Sequence, residues 1–193
     1  MANAIRLIKS DTVQLSFEDK THMHELEIDG SQGEGGGQII RTSLALSAIS
    51  GTAIRLTNIR GGRKKPGLLR QHLTCVQAAA QICNAQVDGD QLGSEELKFL
   101  PQEIAPGDYS FSIGSAGSTS LVLQTILPAL MIAQEESSVE LCGGTHNPWA
   151  PSFDFLVRVF APHLAAIGPQ LSGEIAKYGF YPAGGGIVRF NVK

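Results

Sequence analysis

The 193-residue chain is short of the features that mark several large classes of protein. Its three cysteines, Cys75, Cys83 and Cys142, are odd in number and show no CxxC spacing. They support neither a disulfide framework nor a zinc knuckle, and they fit a reducing compartment. Charged residues make up only 17% and the net charge is -3. That balance excludes a disordered tail and a basic module that coats nucleic acid by bulk charge, so any contact with nucleic acid has to be local. Long hydrophobic runs are missing as well. The most apolar stretch, Leu121 to Ala133, is interrupted by Gln124 and Pro128, and the N-terminus carries Arg6, Lys9 and Asp11 without the apolar core of a signal peptide. A soluble, cytoplasmic protein that makes no use of a membrane is expected.

What the chain does have is 42% hydrophobic residues, enough for a sizeable core, and 22 glycines that punctuate it. Residues 1–24 read as an extension in which Val13, Leu15 and Phe17 alternate with polar neighbours in the period of a short edge strand. From Glu25 the pattern predicts a strand, a glycine-rich turn at Gly33 to Gly37, a helix from about Gln38 to Ile49 and a strand at Ile54 to Ile59. Pro66 and Gly67 then open a helix with Leu69, Leu73, Val76, Ala80 and Cys83 along one face, followed by short strands near Gln86 to Asp88 and Leu97 to Phe99.

The same order recurs. A strand is expected at Tyr109 to Ile113, a Gly-Ser turn at Gly114 to Ser118, a helix through Leu121 to Met131, a strand at Val139 to Cys142 and a helix from Ser152 to Ile167, before an apolar run from Ile187 to Val192. Pro66 and Pro151 are 85 residues apart, and Gly30 and Gly114 are 84 apart. The expectation is an α+β fold of tandem β-α-β-α-β-β repeats, 25–104 and 105–193, with paired helices on one face of each sheet.

Three constellations carry chemistry. In Gly33-Glu34-Gly35-Gly36-Gly37-Gln38, between strand and helix, glycines let backbone N–H groups approach an anion at a helix N-terminus. The run is neither a Walker A motif nor GxGxxG, and a plain tight turn is the competing reading. Glu34 beside an anion site implies a divalent cation bridging it to phosphate, or else a carboxylate that merely favours the helix N-terminus; Arg41, one turn on, reaches the same anion.

The stretch from Arg55 to Arg70 holds six of the 15 basic residues and no acid, a focused positive patch. Within it Arg60 and Arg63 flank Gly61-Gly62 as fork-shaped phosphate donors, whereas Lys64 and Lys65 read as solvated loop. In the second half, Pro151 and Phe155 offer apolar surfaces for a purine ring and Gln124 an amide able to read a base edge. The helical spacing of Phe155 and Val159 equally suits a core face, and His72 and His146 suit acid-base or structural roles without a partner that spacing identifies.

The joined motifs Asp29 to Arg41, Ile59 to Arg63, Lys65 to His72, Ser112 to Ser118 and Tyr178 to Gly186 resemble the RNA 3'-terminal phosphate cyclase family, over nearly everything after residue 25. The resemblance implies an enzyme of the ligase class that moves AMP from ATP onto a histidine and then onto an RNA 3'-phosphate end. The neighbouring 2'-hydroxyl displaces AMP to leave a 2',3'-cyclic phosphate, with Mg²⁺ or Mn²⁺ assisting. By position, Glu34 would bind metal, Arg41, Arg60 and Arg63 would engage phosphates, and Gln124, Pro151 and Phe155 would border the adenosine. Family members carry an inserted domain, a third repeat and the nucleophilic histidine beyond the point matched by Gly186, so the chain alone is expected to be incomplete and inactive. His146 stands where the family often has an acidic residue. The alternative is a non-catalytic cyclase-like RNA-binding protein in RNA processing; such relatives tend to lose the glycine loop, which is intact here. A stable folding module with no ligand is a third reading.

Overall fold

The computed structural model describes residues 25–193; the expected strand around Val13, Leu15 and Phe17 lies outside the described residues. Two four-stranded mixed sheets carry the fold. In the first, β1 (Leu26–Asp29), β2 (Ile54–Thr57), β3 (Gln86–Asp88) and β4 (Leu97–Leu100) are ordered β1-β2-β4-β3. In the second, β5 (Asp108–Ser112), β6 (Ser137–Gly143), β7 (Leu171–Lys177) and β8 (Gly186–Val192) are ordered β5-β6-β8-β7. Each sheet has its first pair parallel and the other two pairs antiparallel. The helices α1 (Gly37–Ser50), α2 (Arg70–Ile82) and α3 (Thr119–Leu130) begin where a parallel crossover or its return requires them. The fourth helix, α4, joins Phe153–Phe155, a π-helical turn Leu156–Phe160 and Ala161–Ala165.

Sequence chemistry explains the boundaries. Helix α1 stops at Gly51, whose φ of 69° is the left-handed conformation a glycine adopts without a Cβ penalty, and whose N–H caps the Ser47 carbonyl. Helix α3 starts at Ser118, whose hydroxyl accepts from the Leu121 N–H. Alternation along β6 and β8 puts Val139, Leu141, Val188 and Phe190 inside. On the opposite face Arg189 donates to Glu140 at 2.8 Å and Glu174 at 3.2 Å. Helix α3 packs against both α1 and α2, and one continuous apolar core runs from Ile40, Leu44, Leu56 and Phe99 to Leu123, Ile126, Leu141 and Phe190. At about 1.5–3 kcal/mol for each large buried side chain, this shared core binds the two sheets into one unit.

Three readings need correcting. Pro66 lies before α2 and does not open it: the helix begins at Arg70, and its buried face is His72, Cys75, Val76, Ala79 and Ile82, leaving Leu69 exposed and Leu73 at the margin. The reason is that two polar residues are buried, His72 against the remote Gly37 and Thr74 with its hydroxyl donating to the Arg70 carbonyl one turn back. Phe155 and Val159 form no core face, being 47% and 45% exposed. The π-helical turn inserts an extra residue per turn, so the buried positions of α4 fall at Leu156, Ala161 and Leu164. Arg55 does not belong to the positive patch, since it lies on the outer face of β2, paired with Glu27 and Glu96 at 3.3 Å each.

The helix starts at Gly37 and Thr119 are 82 residues apart, and the strand starts at Leu26 and Asp108 are also 82 apart. The first strand and first helix of the two halves therefore share one offset, whereas the last strands, starting at Leu97 and Gly186, are 89 apart.

Candidate functional site

The glycine loop follows β1 and is pinned before it turns. Asp29 Oδ1 accepts from the Ser31 N–H at 2.9 Å, the Ser31 hydroxyl at 2.7 Å and the Asn58 amide at 3.2 Å, which holds the Asp29 carboxyl below the usual carboxylate range. The next loop, 58–63, is wound tightly: Asn58 and Arg60 both have positive φ, 48° and 56°. Such non-glycine conformations persist only where surrounding bonds enforce them. Arg60 supplies those bonds, donating from Nη1 to the carbonyls of Lys65 at 2.6 Å and Gly67 at 2.9 Å.

The two loops meet backbone to backbone. A β-carbon on Gly35, which has a φ of 53°, would stand 2.7 Å from the Gly62 nitrogen. One on Gly36 would stand 2.8 Å from Arg63 Nη2, and one on Gly37 would overlap His72 Nε2 and lie 3.0 Å from Arg41 Nη1. The glycines are thus a floor onto which Arg63, His72 and Arg41 settle. Arg63 donates to Glu34 at 3.1 Å, but the side chains are 47% and 90% exposed. A pair so solvated is worth about 0–1 kcal/mol, so an incoming phosphate can take the arginine and leave the carboxylate free.

Arg41, like Arg60 and His72, is buried. Its Nη2 donates to Gln38 Oε1 at 2.8 Å and its Nε approaches Gln124 Oε1 of α3 at 3.4 Å. Burial depresses its pKa from the ordinary arginine value, while its charge still dominates its surroundings. The site therefore draws on both sheets' units. A second bridge is made by Gln71 of α2, whose Oε1 accepts from the Ser118 N–H at 2.7 Å. Asn147 then donates to the Ala116 carbonyl at 2.7 Å, and Thr145 N–H donates to the Gly179 carbonyl at 2.9 Å. A cavity of about 640 Å³ opens beside this bridge, lined among others by Arg70, Gln71, His72, Ser115 and Gly117.

The structure thus brings Glu34, Arg41, Arg60 and Arg63 together with Gln124. Pro151 and Phe155 are exposed at the start of α4; Gln124 lines a cleft of about 230 Å³ with Arg41, Thr42, Leu46 and Pro128. Gln71 escaped the reading because its partner, Ser118, is distant in sequence, and His72 was named there without the neighbours that surround it here. Their place immediately after the acid-free basic run that ends at Arg70 was the signal available. His146 is occupied elsewhere: Nδ1 lies 3.0 Å from the Thr145 hydroxyl, Nε2 3.7 Å from Asp154, and its ring stacks at 5.7 Å on Tyr178 and on Phe180.

For a divalent cation the protein offers one carboxylate. Among the described residues no group of three or more His, Cys, Asp or Glu side chains is placed to hold a metal. That donor set fits Mg²⁺ held mainly by water and ligand phosphates, and does not fit a closed protein cage. Among the described residues, no helix is long and apolar enough to cross a membrane.

A glycine floor beside guanidinium groups, at the seam of two mixed sheets, makes this an α+β protein with a basic cleft. Comparison with known sequences narrows the class. The family model for RNA 3'-terminal phosphate cyclase matches residues 32–193, and the chain belongs to that family. It is 54% identical over 171 residues to the RNA 3'-terminal phosphate cyclase of Koribacter versatilis (strain Ellin345), covering 89% of this chain and 48% of the relative. It is 58% identical over 161 residues to those of Salmonella enteritidis PT4 (strain P125109) and Salmonella typhimurium (strain LT2), covering 83% of this chain and 48% of each relative. The chain spans about half the length of the curated relatives it matches.

Proposed function

We propose that this chain supplies the phosphate-gripping part of an ATP-dependent RNA 3'-terminal phosphate cyclase, built from two copies of one repeat, 25–104 and 105–193. The observation that carries the reading is the convergence of Arg41, Arg63 and Glu34 on the glycine floor. Arg63 exchanges its solvated carboxylate partner for a phosphate of ATP or of the RNA end. Arg41, fixed by Gln38 and Gln124, holds a second oxygen in the fork geometry guanidinium groups favour. Arg60 braces the loop that aims Arg63 and adds positive field. Mg²⁺ or Mn²⁺, when bound, screens charge between the phosphates and is held on the protein side by Glu34. In the full reaction AMP is transferred from ATP to the RNA 3'-phosphate with release of pyrophosphate. The adjacent 2'-hydroxyl then attacks that phosphorus, loses its proton and expels AMP. Gln124, Pro151 and Phe155 border the adenosine in this reading, and the protein works in the cytoplasm.

The test is a binding comparison between oligoribonucleotides ending in 3'-phosphate and in 3'-hydroxyl, with wild type and Arg63→Ala. Loss of one charge-assisted contact predicts about 1.5–3 kcal/mol of weaker binding for the phosphate end only. Equal weakening for both ends would leave general electrostatics and reject the assignment.

A further inference from the structure

We propose that His72 is a neutral phosphate donor: its Nε2–H completes, with Arg41 Nη1 and the N-terminus of α1, a niche over Gly37 that takes one non-bridging phosphate oxygen. This rests on the reading of the basic cleft as a phosphoanion site.

The tautomer follows from the bond the ring already makes. His72 Nδ1 accepts from the Leu69 N–H at 3.3 Å, so in the neutral ring the proton sits on Nε2. The ring stays neutral because burial, then the charges of Arg60 and Arg41, push its pKa down to about 4. The residue is 8% exposed, and Nε2 has no hydrogen-bond acceptor among the described residues. It is aimed at Gly37, where any β-carbon would overlap it.

Two neighbours are unspent in the same place. Arg41 uses Nε and Nη2 on Gln124 and Gln38, which leaves Nη1, 3.0 Å from where a Gly37 β-carbon would be. The 14-residue helix α1 begins at Gly36 with no side-chain cap and no acid in its first turn. Its leading N–H groups thus lack a side-chain acceptor at the same floor. Three kinds of donor converge there, and the amide oxygens of Gln38 and Gln124 are already taken by Arg41, an arrangement suited to an oxygen that carries negative charge. A neutral donor adds a hydrogen bond there without increasing the repulsion among the guanidinium groups.

A purely structural His72 would cap α2 through Nδ1 and nothing more, and two amide variants separate the roles. In His72→Asn the side-chain oxygen falls near Nδ1 and keeps the cap, while nothing reaches the niche. In His72→Gln the amide nitrogen falls near Nε2 and keeps the donor, while the Leu69 N–H loses its acceptor. Calorimetric titrations of the full chain with ATP, and with an oligoribonucleotide ending in 3'-phosphate or 3'-hydroxyl, are run beside thermal unfolding. The expected result is that His72→Asn unfolds close to wild type yet binds the phosphate ligand about 10- to 100-fold more weakly, whereas His72→Gln unfolds earlier and binds within about threefold. Loss confined to the ATP arm, or to the 3'-phosphate arm, supports the proposal and says which phosphate occupies the niche.

Wild-type affinity in His72→Asn, or equal losses in both variants, would overturn the proposal and leave the basic-cleft reading standing. Failure of wild type to bind either phosphate would overturn both. Should His72→Asn not fold, ¹⁵N spectra of the wild-type imidazole decide: the Nε2–H signal shifts on adding phosphate if the niche is filled, and an unmoved signal sinks the idea.

Discussion

Replacing Gly37 with alanine adds one methyl group where the structure has no room for it. The new carbon would overlap His72 Nε2 and stand 2.7 Å from its Cδ2. His72 is held by the Leu69 N–H behind it and is 8% exposed, so swinging away costs it that bond. Alanine in a helix is favoured over glycine by about 0.5–1 kcal/mol, less at the first position, where backbone bonds are few. Against that stand about 1–3 kcal/mol for overpacking. Loss of the strained Leu69 hydrogen bond adds about 1 kcal/mol. The net expectation is destabilisation by about 1–3 kcal/mol, which for a chain of this size lowers Tm by about 2–12 °C. Thermal unfolding of Gly37→Ala, His72→Ala and the double variant forms the test. Removing the imidazole first gives the methyl group somewhere to go, so the pair should couple by at least about 1 kcal/mol, the double variant being more stable than the sum of singles predicts. Simple additivity, or a Gly37→Ala variant as stable as wild type, would refute the claim that His72 rests on this glycine.

Other outcomes follow from the same geometry. Mg²⁺ should bind measurably only in the presence of ATP and far less in Glu34→Gln, as calorimetry with and without nucleotide will show, because one carboxylate is too few ligands alone. Because the folded-state pKa of His72 lies near 4, below its unfolded value near 6.5, the unfolded chain binds the extra proton between those values. Stability should fall as pH drops from about 6.5 to about 4, by about 3 kcal/mol in total, and His72→Gln should flatten that slope in chemical denaturation. Burial pushes the Cys75 and Cys83 thiols up to about 11, so native-state alkylation at pH 8 should be slow at both and fastest at the half-exposed Cys142, as peptide mass mapping will reveal. Incubation with α-labelled ATP should leave no covalent label on this chain. His72 is buried with Nδ1 engaged and His146 is tied to Thr145 and Asp154, so acid-labile label lost in His146→Ala would contradict that expectation.

The parts of the fold set by local pattern were readable in the amino-acid order. Apolar runs marked β6 and β8, the glycine-rich turn at Gly33 to Gly37 marked the start of α1, and the basic run after Ile59 marked the loop that meets the glycine floor. What escaped depended on partners far along the chain. The inward face of α2 includes His72 because Gly37, 35 residues earlier, leaves space for a ring, and Gln71 turns toward Ser118, 47 residues later. No local period encodes either contact. The positive patch was overcounted for the same reason: Arg55 is basic in sequence but neutralised by Glu27 and Glu96 from adjoining positions in space. The face of α4 was misjudged because an ideal 3.6-residue period was applied where the helix is wider.

That widened turn bears on how the chain tolerates change in length. At Leu156 to Phe160 the carbonyl of Leu156 pairs with the N–H of Ala161, five residues on, so the helix holds one residue more than its span needs. A deletion of one residue there would let the backbone close into ordinary α-helix without breaking either end. It would also rotate everything before the turn by roughly 100° against Leu164. Asp154 would swing away from His146, while the core beyond stayed put. A gap at this point in a homologous protein would therefore mark a changed surface beside His146 on an unchanged scaffold.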